Sequence, residues 1–230
     1  MSATTANSFK LSFSEGSVSC VVLKFNDLSS LPDEKLSKEE KEKLLSFKSV
    51  KRQLEFGFSR VAAKRALSML VPDLNVSDVS IKNDQAGCPY FFSLNDNIKN
   101  YRIALTHSSG VAFALVSDFA CGIDVEFFRE DRVRAFQRMS PRFSDKKQLL
   151  AAWTLKEALA KAIGTGVTKN FDEYEIDNFE IVNNTVRCSF VNYNDFCGIA
   201  QVAGNMSVAV VARQKFSGFF DHFASFVEKL

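Results

Sequence analysis

The chain has 230 residues, of which 46% are hydrophobic. It can therefore bury a substantial core as one large domain or two small ones, which excludes a disordered protein. The formal net charge of +2, from 29 basic and 27 acidic residues, excludes a protein that binds nucleic acid or membrane through its overall charge.

The first half of the chain alternates strand and helix signals, which indicates an α/β or α+β organisation. A β-rich stretch opens it, followed by a charged helix that begins after Pro32 and a second helix that ends before the segment VPDLN. The interval from Lys35 to Arg65 holds ten basic and four acidic residues, a local excess of positive charge. The predicted elements are strand 17–25, helices 30–47 and 48–70, and short strands near 78–82, 90–93 and 101–105.

The second half continues the alternation. Segments 111–117 and 121–128 are predicted to form a hairpin, and the clearest helix covers 144–164, with Ser144 as its N-cap and Gly164 as its C-cap. Segments 102–117 and 198–213 both read as strand, turn and strand, which indicates two similar subdomains. Further strands are expected near 178–182, 185–191, 197–203 and 206–213, and an apolar stripe predicts a helix within 214–230.

Residues 122–126 read GIDVE, with Asp124 and Glu126 two positions apart in a predicted strand. Side chains at i and i+2 project from the same face, so the two carboxylates lie together while the apolar residues between them face the other way. Such like charges repel unless a cation lies between them, and a hard divalent ion such as Mg²⁺ prefers oxygen ligands and binds substrate phosphates. The alternative is a solvent-facing edge strand on which both acids are hydrated.

The helix WTLKEALAK, at 153–161, adds a third carboxylate and two lysines. Glu157 and Lys161 share a face at i,i+4, and Lys156 lies about 100° round the helix from Glu157. By themselves, Glu157 and Lys161 would be an ordinary exposed ion pair. With the two strand carboxylates, they predict a metal site beside phosphate-binding cations, which suits a diphosphate substrate.

GIDVE followed by WTLKEALAK resembles the signature of the larger, monomeric, two-subdomain 4′-phosphopantetheinyl transferases. Within them it is most similar to the branch with the enterobactin-synthase component and the activator of surfactin synthetase. Segments KRQLEFGFSR, AGCPYF and ALTHSSG resemble upstream elements of the family, so the resemblance covers about residues 37–168. It implies a holo-acyl-carrier-protein synthase, which transfers 4′-phosphopantetheine from coenzyme A to a serine of an apo acyl or peptidyl carrier protein and releases adenosine 3′,5′-bisphosphate.

The resemblance also implies a role for each matching residue. Asp124, Glu126 and Glu157 would hold Mg²⁺, with Mn²⁺ as the alternative, and the metal would bridge to the diphosphate of coenzyme A. Glu157 would be the general base, directly or through water, and Lys161 would contact the transferred phosphate. The other expected contacts to coenzyme A are Arg52, Arg60 and His107 at the 3′-phosphate, Gly87 and Pro89 at the nucleotide, Thr106 beside His107, and Asp124 and Lys156 near the phosphates.

The fold implied by the resemblance is α+β (α/β), with two similar α/β subdomains related by a pseudo-twofold axis. Each subdomain would pack a small antiparallel sheet on a long helix. Residues 1–118 would bind the 3′-phosphate and adenine, residues 119–230 would carry the metal and the catalytic residues, and the active site would lie at their interface. The protein would act as a monomer in fatty acid, polyketide or nonribosomal peptide biosynthesis.

Cysteine usage and the chain start bear on location. The five cysteines, at positions 20, 88, 121, 188 and 197, are odd in number and widely spaced, so neither a disulfide framework nor a zinc site is indicated. The N-terminal ten residues lack the apolar core of a signal peptide, and no apolar run approaches about 18 residues. We expect a cytoplasmic protein without a membrane span and without a nucleic-acid partner.

Two features refine the expected substrate contacts. Cys88 stands where the family usually has a lysine or arginine, so one cationic contact to coenzyme A is missing or is supplied by another residue such as Lys82. The segment FFREDRVRAF, at 127–136, offers aromatic and basic groups that could meet the acidic helix of a carrier protein.

Alternatives remain for the function and for the C-terminal helix. A metal-dependent nuclease could use the same residue types, but its usual acid and lysine lie two apart on a strand rather than four apart on a helix. A non-catalytic module that binds coenzyme A or a carrier protein would be expected to have lost a ligand, and all three are present. The C-terminal apolar helix is expected to cap the second subdomain, with a membrane-binding or partner-binding tail as the alternative.

Overall fold

The structure is a computed structural model that describes residues 6–94, 96–166 and 171–230, apart from the side chains of Asp96 and Phe171. Within these ranges the chain is mixed α+β, with five α-helices and antiparallel sheets. It divides into two compact units, Met1–Phe119 and Ala120–Leu230. The ligand roles given to the two halves and their pseudo-twofold relation stay predictions. Two predictions extend beyond the described residues. One is the absence of a signal peptide, which was judged partly on residues 1–5, and the other is the family-like stretch, which ends at 167–168.

The N-terminal unit packs a long helix on a four-stranded antiparallel sheet. The strand order is β1-β2-β6-β5, while β3 and β4 form a separate two-stranded hairpin. Helix α2 lies against β2, β5 and β6 and buries Phe58 and Leu67 in their common core. The elements are β1 (Ala6–Phe13), β2 (Gly16–Lys24), α1 (Lys38–Ser46), α2 (Val50–Leu70), β3 (Ser80–Asn83), β4 (Pro89–Phe92), β5 (Arg102–Ser108) and β6 (Val111–Ser117).

A buried polar cluster fixes the start of α1 against α2 and β3. Ser37 and Glu40 form a capping box, in which each side chain accepts from the other residue's backbone N–H. The Glu40 carboxylate also pairs with Lys64 Nζ at 2.5 Å and accepts from the backbone N–H of Ile81 at 2.9 Å. After Pro32 the chain forms only a 3-10 turn, Asp33–Lys35. The cap at Ser37 starts the α-helix at Lys38, so the predicted start of one continuous helix after Pro32 is wrong.

The C-terminal unit repeats the arrangement of one long helix on one antiparallel sheet. The strand order is β7-β11-β10-β9-β8, and helix α4 lies against β7, β10 and β11. Helix α5 lies against β10 and buries Phe220, Phe223 and Val227, which confirms its role as a cap. The elements are β7 (Cys121–Phe127), α3 (Val133–Met139), α4 (Lys146–Ile163), β8 (Ile176–Val182), β9 (Thr185–Phe190), β10 (Phe196–Ala203), β11 (Met206–Arg213) and α5 (Phe220–Glu228).

Three local predictions need correction. The hairpin expected between 111–117 and 121–128 is wrong, because β6 pairs with β2 and β5 whereas β7 pairs with β11. Strand β1, which pairs with β2 along its whole length, was not predicted. The N-cap of α4 is Asp145 rather than Ser144, since its carboxylate accepts from the backbone N–H groups of Lys147 and Gln148. The C-cap at Gly164, with φ of 77°, is confirmed.

No helix within the described ranges has the length and apolar character needed to cross a bilayer.

Candidate active site

Strand β7 carries its two carboxylates on the face that lies against α4. Gly122 shares this face, and a Cβ atom there would stand 2.0 Å from the backbone oxygen of Ala158 and 2.7 Å from the backbone nitrogen of Ala162. Only glycine therefore allows the helix to come this close to the strand. Asp124 is 6% exposed, so the alternative of a hydrated, solvent-facing strand is wrong for this residue.

Lys161 of α4 reaches across to β7. Its Nζ lies 2.7 Å from Asp124 Oδ1 and donates to the backbone carbonyl of Ile123 at 3.1 Å. Both side chains are largely shielded from solvent: the Lys161 side chain is 27% exposed and the Asp124 side chain 9%. Lys161 therefore engages the strand, and the alternative of an ordinary exposed pair along the helix with Glu157 is wrong.

The second strand carboxylate, Glu126, also has a basic partner. Arg132 Nη1 donates to Glu126 Oε2, while Glu126 Oε1 accepts from the backbone N–H of Phe127 at 3.0 Å. The Arg132 guanidinium lies over the indole of Trp153, 4.9 Å from its centroid, and 5.5 Å from the Phe136 ring centroid. The sequence reasoning placed this arginine in a carrier-facing segment and missed its contact with Glu126.

Glu157 lies where these charges converge. Burial raises the pKa of its carboxyl to about 7, and the negative charges of Asp124 and, to a smaller extent, Glu126 act in the same direction. The positive charges of Lys161 and Arg132 oppose that rise in pKa. The structure thus brings three predicted carboxylates into electrostatic contact, together with one predicted and one unpredicted cation.

The donor set fits a hard divalent cation in its chemistry. All three carboxylates supply oxygen ligands, which Mg²⁺ and Mn²⁺ prefer over nitrogen or sulfur. Across the described ranges, no three acidic, histidine or cysteine side chains are already arranged around a metal position. Asp124 and Glu126 instead pair with Lys161 and Arg132.

Lys156, the predicted supporting phosphate contact, is 5% exposed and donates from Nζ to the backbone carbonyl of Met139. This hydrogen bond ties the last turn of α3 to α4. Burial lowers the pKa of the Lys156 ammonium, which the negative charges of Glu175 and Asp172 partly offset. The structure places Lys156 at the carboxyl end of α3, and its contact with phosphate stays a prediction.

In the N-terminal unit, α2 and β5 carry four of the predicted coenzyme A residues, Arg52, Arg60, Thr106 and His107. His107 Nδ1 lies 3.7 Å from Glu55 Oε1, which joins the strand to the helix. The Arg60 guanidinium stacks on the Phe56 ring at 4.0 Å, and its buried Nε has no hydrogen-bond partner. Burial lowers the pKa of Arg60, an effect that the charge of Glu40 opposes. A charged N–H donor of this kind gains a charge-assisted hydrogen bond when an anion accepts from it.

The other two predicted residues of this region, Arg52 and Thr106, differ in their exposure to solvent. Arg52, near the start of α2, is exposed, whereas Thr106 of β5 is 5% exposed. A shared contact of Arg52 and His107 with one phosphate stays a prediction.

The turn that carries Gly87 and Pro89 is built around Asp84. Its carboxylate accepts from the backbone N–H groups of Ala86 and Cys88, at 2.9 and 2.8 Å. Gly87 has φ of 86° with open space around it, and Pro89 begins β4. Burial, with a smaller contribution from the charge of Asp84, raises the pKa of the Cys88 thiol.

Lys82, the candidate replacement for the missing cation, already has two partners. Its Nζ lies 3.2 Å from Glu39 Oε2 and 3.8 Å from the centroid of the Phe92 ring.

One family model matches part of the chain. No curated protein matches the chain. A family model described as the 4′-phosphopantetheinyl transferase superfamily matches residues 120–211, which include both carboxylates of β7 and the whole of α4. Over this stretch the chain is similar to the superfamily, which supports phosphopantetheine transfer in general.

Proposed function

We propose that the chain transfers 4′-phosphopantetheine from coenzyme A to a serine hydroxyl of an apo acyl or peptidyl carrier protein. The observation that carries the proposal is the close packing of α4 on β7 at Gly122, inside the segment that the superfamily model matches. This packing groups Glu157 and Lys161 with Asp124. Three carboxylates and a lysine form a site suited to a diphosphate substrate with a divalent cation.

We assign recognition of coenzyme A to the residues of α2, β5 and the β3–β4 turn. The buried Nε of Arg60 supports a contact to the 3′-phosphate, because a charged donor without a partner gains a charge-assisted hydrogen bond when an anion binds. Arg52 and His107 are proposed for the same phosphate, and Thr106 lies directly before His107. Gly87 and Pro89 are proposed to shape the turn at the nucleotide.

In the proposed reaction, the serine oxygen forms a bond to the phosphorus that bears pantetheine. The bond from that phosphorus to the bridging oxygen of the diphosphate breaks, and adenosine 3′,5′-bisphosphate leaves. Glu157 accepts the serine proton, directly or through a water molecule. Lys161 donates to a non-bridging oxygen of the transferred phosphate, with Lys156 as the further expected cation.

A divalent cation held by Asp124, Glu126 and Glu157 would neutralise charge on the diphosphate. Mg²⁺ is the proposed ion and Mn²⁺ the alternative, because both are octahedral oxygen-binding ions. Segment 127–136 is proposed to face the carrier, with the exposed Arg129 among its basic groups.

A carrier panel tests the proposal directly. The protein is incubated with coenzyme A, Mg²⁺ and apo carriers of fatty acid, polyketide and nonribosomal peptide type, and the intact mass of each carrier is measured. We expect at least one carrier to gain one phosphopantetheine, with no gain on the same carrier after its acceptor serine is replaced by alanine. The proposal fails if no carrier gains mass while a known transferase modifies all of them.

A further inference from the structure

Both carboxylates of β7 are already engaged by basic side chains in the protein. Lys161 holds Asp124, and Arg132 holds Glu126, so each acid accepts hydrogen bonds on an oxygen that a metal ion would need. Both oxygens of Glu126 accept a hydrogen bond, since the second accepts from the Phe127 backbone. Each oxygen has a further lone pair, but the positive guanidinium of Arg132 repels a cation that approaches the same carboxylate, so the two compete for Glu126.

Of the two contacts of Glu126, the one to Arg132 is the easier to exchange. The side chain of Arg132 is 35% exposed, and it comes from a 3-10 turn at Glu130–Arg132 rather than from the rigid strand or helix. Partly exposed ion pairs contribute little to stability, so a divalent ion with a larger charge can replace the guanidinium. Lys161, by contrast, also donates to the Ile123 carbonyl and is less exposed.

The guanidinium has a platform from which it can reach a substrate. It lies over the Trp153 indole, and Trp153 precedes Glu157 by four residues, so both side chains lie on the same face of α4. Arginine presents a planar set of donors that matches the oxygens of phosphate groups.

We propose that Arg132 is a displaceable counter-cation of this site, which holds Glu126 in the metal-free protein and is released to the diphosphate of the nucleotide substrate when a divalent cation takes that carboxylate. The inference rests on the proposed function, because it needs Glu126 to be a metal ligand. It adds a phosphate-binding residue from outside the helix and strand that carry the site. It also predicts that metal binding competes with an internal ion pair.

The first test measures Mn²⁺ binding to the metal-free protein without coenzyme A, by the electron paramagnetic resonance signal of unbound Mn²⁺. Arg132→Gln removes the guanidinium that competes with Mn²⁺ for Glu126. Because this ion pair is partly exposed and therefore weak, the variant should bind Mn²⁺ about two- to fivefold more tightly than the wild type. The matched control is Arg129→Gln, which removes the same charge from the same segment but takes it from a pair with Asp131. Its Mn²⁺ affinity should equal that of the wild type.

The second test uses Trp153, the only tryptophan of the chain, as a reporter of the guanidinium. Saturating Mg²⁺ should change its fluorescence in the wild type, because the cation over its ring moves away. Arg132→Gln should still bind Mn²⁺, but the fluorescence of Trp153 in this variant should not change with Mg²⁺. In the carrier assay the same variant should raise the KM for coenzyme A about tenfold, the loss expected for one charge-assisted hydrogen bond.

The outcomes separate this inference from the proposed function. If Arg132→Gln binds Mn²⁺ more weakly than the wild type, Arg132 merely positions Glu126 and the inference is wrong. If the wild type binds Mn²⁺ but its Trp153 fluorescence stays constant when Mg²⁺ is added, the proposed displacement of Arg132 from Glu126 is wrong. If the wild type binds no divalent cation, the metal part of the proposed function fails and the inference falls with it.

Discussion

The glycine of the GIDVE segment offers the sharpest test of how the site is built. In Gly122→Ala the new Cβ would meet the Ala158 backbone oxygen at 2.0 Å, whereas Cβ atoms essentially never approach another heavy atom closer than 3.0 Å. Backbone atoms of a helix cannot rotate away as a side chain can. Helix α4 must therefore retreat from β7 by at least about 1 Å, a form of overpacking that costs about 1–3 kcal/mol.

Urea unfolding measures this cost. With a slope of about 2 kcal/mol per molar, the midpoint of Gly122→Ala should fall by about 0.5–1.5 M. Carrier modification should fall about 100-fold, because a misplacement of about 1 Å moves Glu157 and Lys161 away from Asp124. The control is Gly218→Ala, where a Cβ would meet nothing within 4 Å and φ is ordinary. A Gly122→Ala midpoint within about 0.3 M of the wild type would refute the packing argument.

Three further predictions concern other parts of the molecule. Arg60→Met should raise the KM for coenzyme A about tenfold or more but leave the KM for 3′-dephospho-coenzyme A unchanged. An equal rise in both KM values would contradict the assignment of Arg60 to the 3′-phosphate. Lys64→Met should lower the free energy of unfolding in urea by about 3–5 kcal/mol, because it leaves the charge of Glu40 buried without its partner. The second substitution Glu40→Gln should restore part of this free energy. No recovery in the double variant would count against the buried pair. Only the half-buried Cys88 and Cys197 should react with a thiol reagent before the protein unfolds. Their reaction rate should rise with pH as thiolate forms, and the rise should occur at higher pH than for an exposed thiol, because burial raises the pKa of both. Reaction of all five thiols in the native protein would contradict the fold.

Periodicity was enough to predict the shared face of the two strand carboxylates. The two-residue period of β7 puts Gly122, Asp124 and Glu126 on one side, and the helix period puts Glu157 and Lys161 on one side of α4. Periodicity could not show that α4 would cover β7, nor that β7 would pair with β11, about eighty residues later in the chain. The predicted hairpin with the preceding strand failed for the same reason, since sequence neighbours need not pair.

The contacts made by long basic side chains were beyond the sequence. Lys156 lies on a helix that is buried on most sides, so its ammonium must bond a nearby acceptor, and the end of α3 happens to supply the Met139 carbonyl. Arg132 meets Glu126 because the chain after β7 turns back over Trp153. Neither path follows a period of 2 or 3.6, and only the fold brings these partners together.

We propose that phosphopantetheine transfer by this chain depends on Asp124 and Glu157. The most direct measurement is the intact mass of a carrier that the wild type modifies, after incubation with Asp124→Asn or Glu157→Gln in the presence of coenzyme A and Mg²⁺. Circular dichroism and the urea midpoint show whether each variant is folded. We predict folded variants and no added phosphopantetheine over a time in which the wild type completes the reaction. Near-normal modification by either folded variant would contradict the account.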